Sequence, residues 1–265
     1  MSLGAWIDGL GILGPGLPDW ADAAAVLAGA RPFVPCATIL PVPVILPAAE
    51  RRRTGRVVKL ALAVAAEACR SAGAQPGEIG SVFASSGSDG ANCHEICVAL
   101  AATPREISPT RFTNSVHNAA SGYWSIAVGA MAPSQVLCAH DASFAAGLIE
   151  SLVRISIEGR PVLLVAYDTE YPEPLRSKRP IPDAFGVGMV LSPHRGPHSV
   201  AHVEAAVEDG VAGPVGDARL EILHRSIPAA RALPLLTALA ARAPGRTAVD
   251  YLPGSRLGLE VSPCV

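Results

Sequence analysis

Apolar positions recur along the chain in two rhythms, one helical and one extended. Val57, Leu60, Ala61, Val64, Ala65 and Ala68 fall at helical spacing, and Gly73 stands where a C-terminal cap belongs, so the pattern predicts a helix from Glu50 through Gly73. Phe144, Leu148, Leu152 and Ile155 share one face of a second helix predicted over Ala142–Ile157. Shorter helices are predicted over Asp19–Ala30, Cys93–Ala101 and Ser121–Ala130, and an Ala/Leu-rich one over Ile227–Arg242. The opening Ala5–Ile12 alternates like a short strand ending in glycines. Ile79–Ser85, Gln135–Ala139 and the continuous apolar run Pro161–Tyr167 predict further strands. Apolar strands alternating with helices imply an α/β protein whose sheet is covered on both faces. From His194 onward the pattern is less regular and includes a polar, Gly-rich piece, Asp209–Asp217.

Composition narrows the picture. Half of the 265 residues are apolar and only 17% are charged, which excludes a disordered chain and leaves material for a large core or for surface reserved for a partner. A net charge of −2 gives no footprint for nucleic acid, and Glu50-Arg51-Arg52-Arg53 is too short to supply one. Basic residues are nearly all Arg; Lys59 and Lys178 are the only lysines. The longest uncharged stretch, Pro32 to Ala49, is interrupted by Pro32, Pro35, Pro41, Pro43 and Pro47, so it predicts an extended loop and no membrane span. Met1–Asp8 lacks the basic start and apolar run of a signal peptide, which places the protein in the cytoplasm. In that reducing setting the six cysteines are expected to be free, buried small hydrophobes.

Few residues suggest chemistry on spacing alone. Cys93 and Cys97 flank His94 one helical turn apart, but without a second ligand pair they predict a core helix face and no metal site. Gly87-Ser88-Asp89-Gly90 is too short to cradle a phosphate and predicts a tight turn. His140-Asp141-Ala142-Ser143 contains hydrolase residue types without a Gly-x-Ser-x-Gly elbow. No cofactor is expected.

Three stretches in order carry a resemblance. Arg51–Leu62 with Ser81–Gly87, Phe112–Gly122, and Ala132–Ser143 resemble, respectively, the early helix and Gly/Ser turn, the loop and helix start, and the Gly-Pro-Ser motif with its nucleophile turn, of the N-terminal half of a β-ketoacyl synthase. Val165–Glu170 and Phe185–Leu191 continue it over residues 1–193, leaving 194–265 as a C-terminal extension that packs on that domain or on a partner. The resemblance implies a thiolase-like layered fold, about one βαβαβ half.

The departures carry the functional expectation. Counted from Pro133-Ser134, the position of the family's nucleophilic Cys holds Asp141, which cannot form a thioester and whose simplest role is a helix N-cap worth roughly 1 kcal/mol. The family's His pair and Lys belong to a second half for which the roughly seventy residues after His194 leave no room. The resemblance therefore implies a catalytically silent, chain-length-factor-like subunit, similar to the half-length subunits of aryl polyene and xanthomonadin-type pathways. Such a subunit would pair with a full-length β-ketoacyl-ACP synthase, meet acyl carrier protein indirectly and help shape the acyl tunnel. Carried over, Phe112, Ser115, Val116, His117, Asn118 and Tyr123 become interface or tunnel candidates. His117 and Asn118 serve equally well as interior polar groups satisfying loop carbonyls, and Tyr123 as a packing residue. The rival expectation is a stand-alone acyltransferase or hydrolase using Ser143 or Cys138 with His140 or His117.

Overall fold

The computed structural model describes residues 3–264. Eight strands, β1 (Leu3–Leu13), β2 (Gly80–Ala84), β3 (Ser134–Leu137), β4 (Val162–Asp168), β5 (Phe185–Ser192), β6 (Ala201–Asp209), β7 (Gly245–Asp250) and β8 (Ser255–Pro263), form one mixed sheet in the order β3-β2-β4-β5-β1-β6-β8-β7. Ten helices surround it: α1 (Trp20–Leu27), α2 (Ala48–Arg51), α3 (Arg56–Ser71), α4 (Gly90–Ala101), α5 (Pro109–Thr113), α6 (Ala119–Val128), α7 (Ser143–Glu158), α8 (Leu175–Lys178), α9 (Ala218–Ser226) and α10 (Leu233–Ala241). β2 pairs parallel with both β3 and β4, through crossovers carrying α4–α6 and α7, which makes one βαβαβ unit; every other pairing is antiparallel.

The continuous apolar run of β4 is buried on both faces, as its lack of alternation requires. Leu163, Val165 and Tyr167 join Phe83 and Val190 against α3 and α6. Val162, Leu164 and Ala166 join Val82, Met189 and Leu191 in a larger cluster with α1, α7 and α10. The sheet is thus sandwiched, and α3 lies unusually close to it. A Cβ on Gly188 of β5 would stand 2.4 Å from the Val64 carbonyl oxygen, so only glycine permits this approach.

Several boundaries differ from expectation. The helix predicted over Glu50–Gly73 is two: α2 ends at Arg51, Thr54 Oγ1 donates to the Arg51 carbonyl, and α3 starts only after the extended Gly55. Gly73 does lie just past the helix, at φ +60°. The helix predicted over Ile227–Arg242 is a 3₁₀ turn, Pro228–Ala232, followed by α10, because Pro228 and Pro234 are accommodated only in first turns. The stretch after His194 contains three strands, and β6 extends the sheet directly from β1, pairing Leu3–Ile7 with Ala201–Ala205.

The cysteines are also placed differently. Only Cys69 is buried; Cys36, Cys93, Cys97 and Cys138 are exposed and Cys264 is intermediate. Cys93 and Cys97 do not form a core face, since Asn92 is the one buried residue of α4. Among the described residues no helix is long and apolar enough to cross a membrane.

Candidate functional site

The carboxyl ends of the three parallel strands meet where the chain order switches sides, with β2 central and its successors β3 and β4 on either side; open α/β sheets place their sites at such points. Three segments converge there: the turn after β2, the turn after β3 and the last residue of β4. Asp168, which ends β4, is fully buried and collects four donors: Ser86 N–H at 2.8 Å, Ser86 Oγ at 2.7 Å, Ser85 Oγ at 3.3 Å and Ala229 N–H at 2.9 Å. Burial pushes its carboxyl up to about 6, against the pull of those hydrogen bonds. Tyr171 packs on the same turn, where a Cβ on Gly87 would stand 2.0 Å from the tyrosine oxygen.

After β3 the chain passes Cys138 and Ala139 into a 3₁₀ turn, His140–Ala142, that opens directly into α7. His140 takes a left-handed φ of +53°, a conformation that costs a non-glycine residue energy and marks the turn as tightly determined. Asp141 does not cap the helix, in contrast to the sequence expectation: α7 has Ala142 at its N-cap and no side-chain cap bond. Its carboxylate turns instead to two arginines, Arg179 Nη2 at 2.7 Å and Arg231 Nη2 at 3.2 Å. Arg179 also places Nη1 2.6 Å from His140 Nε2. Burial alone would lower the Arg179 pKa, but its hydrogen bond and ion pair with Asp141 outweigh this and raise it.

The chain of charges continues outward. Arg231 Nη1 lies 3.5 Å from Asp250 Oδ2, and His224 Nε2 lies 3.5 Å from the same oxygen. The His224 hydrogen bond, helped by the Arg231 charge, holds the Asp250 carboxyl below its usual range against the opposing effect of burial. Asp141 and Asp168 together fasten the C-terminal segment to the ends of the parallel strands, one through Arg231 and the other through Ala229. Neither arginine is signalled by sequence spacing, since Arg179 and Arg231 lie 38 and 90 positions from Asp141.

The two nucleophile candidates differ in availability. Ser143 is buried; its Oγ donates to the His140 carbonyl at 2.7 Å and accepts from Ala139 N–H at 3.1 Å, so both roles are spent on the turn's own backbone. Cys138 is exposed, with Sγ 3.0 Å from the Ser86 carbonyl oxygen.

The remaining sequence candidates form a separate surface. Phe112, Ser115, Val116 and Asn118 are exposed, and Phe112 shows 67% of its surface to solvent. His117 is half-buried, with an Nε2 that lacks a hydrogen-bond partner. Tyr123 lies beneath them and is buried; its hydroxyl donates to Asn114 Oδ1 at 3.0 Å, while Asn114 Nδ2 donates to the Arg53 carbonyl at 2.8 Å. Asn92 Nδ2 fixes the same loop through the Arg111 carbonyl at 2.8 Å. The loop is thus pinned from below and apolar above. Val98 and Leu100 of α4, Ile126 of α6 and Met131, the last at 95%, are exposed as well, and the outer edge of β3 is unpaired within the described residues.

The sequence matches the family described as β-ketoacyl synthase, N-terminal domain, over residues 24–235. The chain belongs to this family. No curated protein sequence matches it. Among solved structures, the ketosynthase ApeO in complex with its chain length factor ApeC from Xenorhabdus doucetiae is similar, with a TM-score of 0.75 and 21% identity over 97% of this chain and 99% of that one. The ishigamide ketosynthase/chain length factor gives a TM-score of 0.72 and 13% identity over 99% and 100% of the respective chains. A β-ketoacyl synthase from Burkholderia phymatum STM815 gives 0.66 and 12% over 100% of both. The fold is therefore the thiolase-like fold of ketosynthases.

Proposed function

We propose that this protein is a catalytically silent, chain-length-factor-like subunit that pairs with an active β-ketoacyl-ACP synthase in the cytoplasm, meets acyl carrier protein through that partner and helps shape the acyl tunnel in polyketide, aryl polyene or fatty-acid-like biosynthesis. The observation that carries the reading is the nucleophile turn. In this reading Asp141 takes the position of the family's Cys, and its carboxylate, engaged by Arg179 and Arg231, neither forms a thioester nor is free to act as a base. The exposed apolar surface of Phe112, Val116, Ile126 and Met131 supports a partner, because an isolated subunit gains nothing from leaving such side chains in water. In this reading residues 1–193 are the ketosynthase-like domain and 194–265 the extension that fills in behind the turn.

Co-expression with a full-length ketosynthase from the same organism tests the proposal. A stable one-to-one complex by light scattering, with acyl groups appearing only on the partner by mass spectrometry, is the expected result. A well-behaved monomer that ignores the ketosynthase, or acylation of this chain itself, overturns it.

A further inference from the structure

Away from the strand ends and the apolar loop, the proline-rich segment between α1 and α2 forms an extended strap across the edge of α3. It is pinned where Phe33, Thr38, Pro43 and Leu46 are buried; Thr38 N–H donates to Asp183 Oδ2 at 2.8 Å and its hydroxyl to the Ala184 carbonyl at 2.9 Å. Between the pins Val34, Ile39, Val42, Val44 and Ile45 stay 40 to 84% exposed. Proline fixes φ and removes donors, so the strap holds its shape with few backbone bonds and no covering element.

Behind the strap lies a cavity of about 1030 Å³, floored by Leu62, Ala63 and Ala66 of α3 and walled by Val42, Val44 and Ile45. That volume lies at the upper end of the range of small-ligand sites. Lys59, one of the chain's two lysines, also lines it and is half-buried.

The cavity's own carboxylates are already committed. Asp19 accepts from Asp22 N–H at 2.8 Å, Asp22 pairs with Arg31, and Glu67 accepts from Ile12 N–H at 3.0 Å and Trp20 N–H at 2.7 Å. Among the described residues the side chains of Lys59 and Arg70 in this lining have neither an ion pair nor a hydrogen bond; Arg70 is exposed and sits in the field of Glu67, which leaves the half-buried Lys59 ammonium uncommitted. A half-buried, uncommitted cation at the margin of an apolar trough calls for an anionic head on an apolar tail.

We propose that this groove binds one long-chain aliphatic carboxylate, its chain under the strap and its carboxylate on Lys59. The site is independent of any pairing with a ketosynthase, so its test stands or falls separately from that reading. Titration of the full chain with dodecanoate, below the concentration at which it forms micelles, is expected to give saturable one-site binding by calorimetry. Dodecanol and dodecyltrimethylammonium, which lack the anionic head, are expected to bind at least tenfold more weakly. Lys59→Glu and Val44→Asp each remove at least tenfold of the dodecanoate affinity, with circular dichroism unchanged because neither side chain is part of the core. A photoreactive long-chain carboxylate should place its adducts within residues 34–45. Equal affinity for dodecanol and dodecanoate, undiminished binding by Lys59→Glu, or adducts confined to other segments overturns the proposal.

Discussion

Asp141 Oδ1 accepts a hydrogen bond from Arg179 Nη2 at 2.7 Å, which links the turn between β3 and α7 to the segment just before β5. The contact joins two loops at the same end of the sheet, and Arg231 brings in the C-terminal segment through the other oxygen. The carboxylate therefore ties the turn to the rest of the domain. Asp141→Ala is expected to lower stability by about 1 kcal/mol, a modest figure because the Asp141 side chain is 40% exposed and screened. Asp141→Asn should cost less, since it keeps one acceptor oxygen. Urea unfolding of the three proteins checks the order.

The apolar face makes a separate prediction. Phe112→Asp and Met131→Asp should leave the melting temperature of the isolated chain unchanged, because both side chains are exposed in it. Under the proposed pairing, each should weaken association with a ketosynthase at least 30-fold, about 2 kcal/mol. Tyr123→Phe works from below. It removes the hydroxyl that holds Asn114 and should cost about 1 kcal/mol of stability, with faster amide exchange across residues 111–118.

Local pattern carried most of the first two hundred residues, because α3, α7 and β4 bury whole faces and so write their period into the sequence. The C-terminal segment was harder. Ala201, Val203 and Ala205 of β6 do alternate with His202 and Glu204, a period-two signal, but the small apolar residues and the charged Glu208-Asp209 end make the stretch look like loop. The arginines around Asp141 were illegible for a different reason: ion pairs between residues 38 and 90 positions apart leave no trace in spacing. Asp141 stands out in the sequence only through the resemblance to the family motif, and its two arginine partners only through the structure. The buried carboxylate of Asp168 shows the same limit, since nothing local marks it as the acceptor for Ala229.

Glycine positions give a contrast that isolates close packing. Gly188→Ala should cost about 3 kcal/mol, because the new Cβ would meet the Val64 carbonyl oxygen at 2.4 Å and a helix backbone cannot shift without disturbing the core beneath it. Gly122, inside α6, has nothing within 4 Å of its would-be Cβ, so Gly122→Ala should gain roughly 0.5–1 kcal/mol through the unfolded chain and helix propensity. Paired thermal melts compare them directly.

Asp168 sets a pH dependence whose sign can be worked out. Its pKa rises from an ordinary 3.8 to about 6 in the folded protein, so the folded state binds the extra proton between those values. The stability this group contributes is full below pH 4 and is lost as pH rises through 6. Asp250 and Glu221 act in the opposite sense. Their pKa values are lowered on folding, Asp250 chiefly by the His224 hydrogen bond and Glu221 by the Val215 N–H, so the stability they add is lost in acid, below their ordinary ranges. From these groups, unfolding free energy should therefore rise as pH falls from 7 to 5 and decline again below about pH 4. Asp168→Asn should flatten the slope between pH 5 and 7. Ser86→Ala removes a hydroxyl that favours the charged form and should steepen it, which keeps the test decisive even where the asparagine variant folds poorly. A wild-type slope of the opposite sign between pH 5 and 7, unaltered by Ser86→Ala, would place the proton elsewhere.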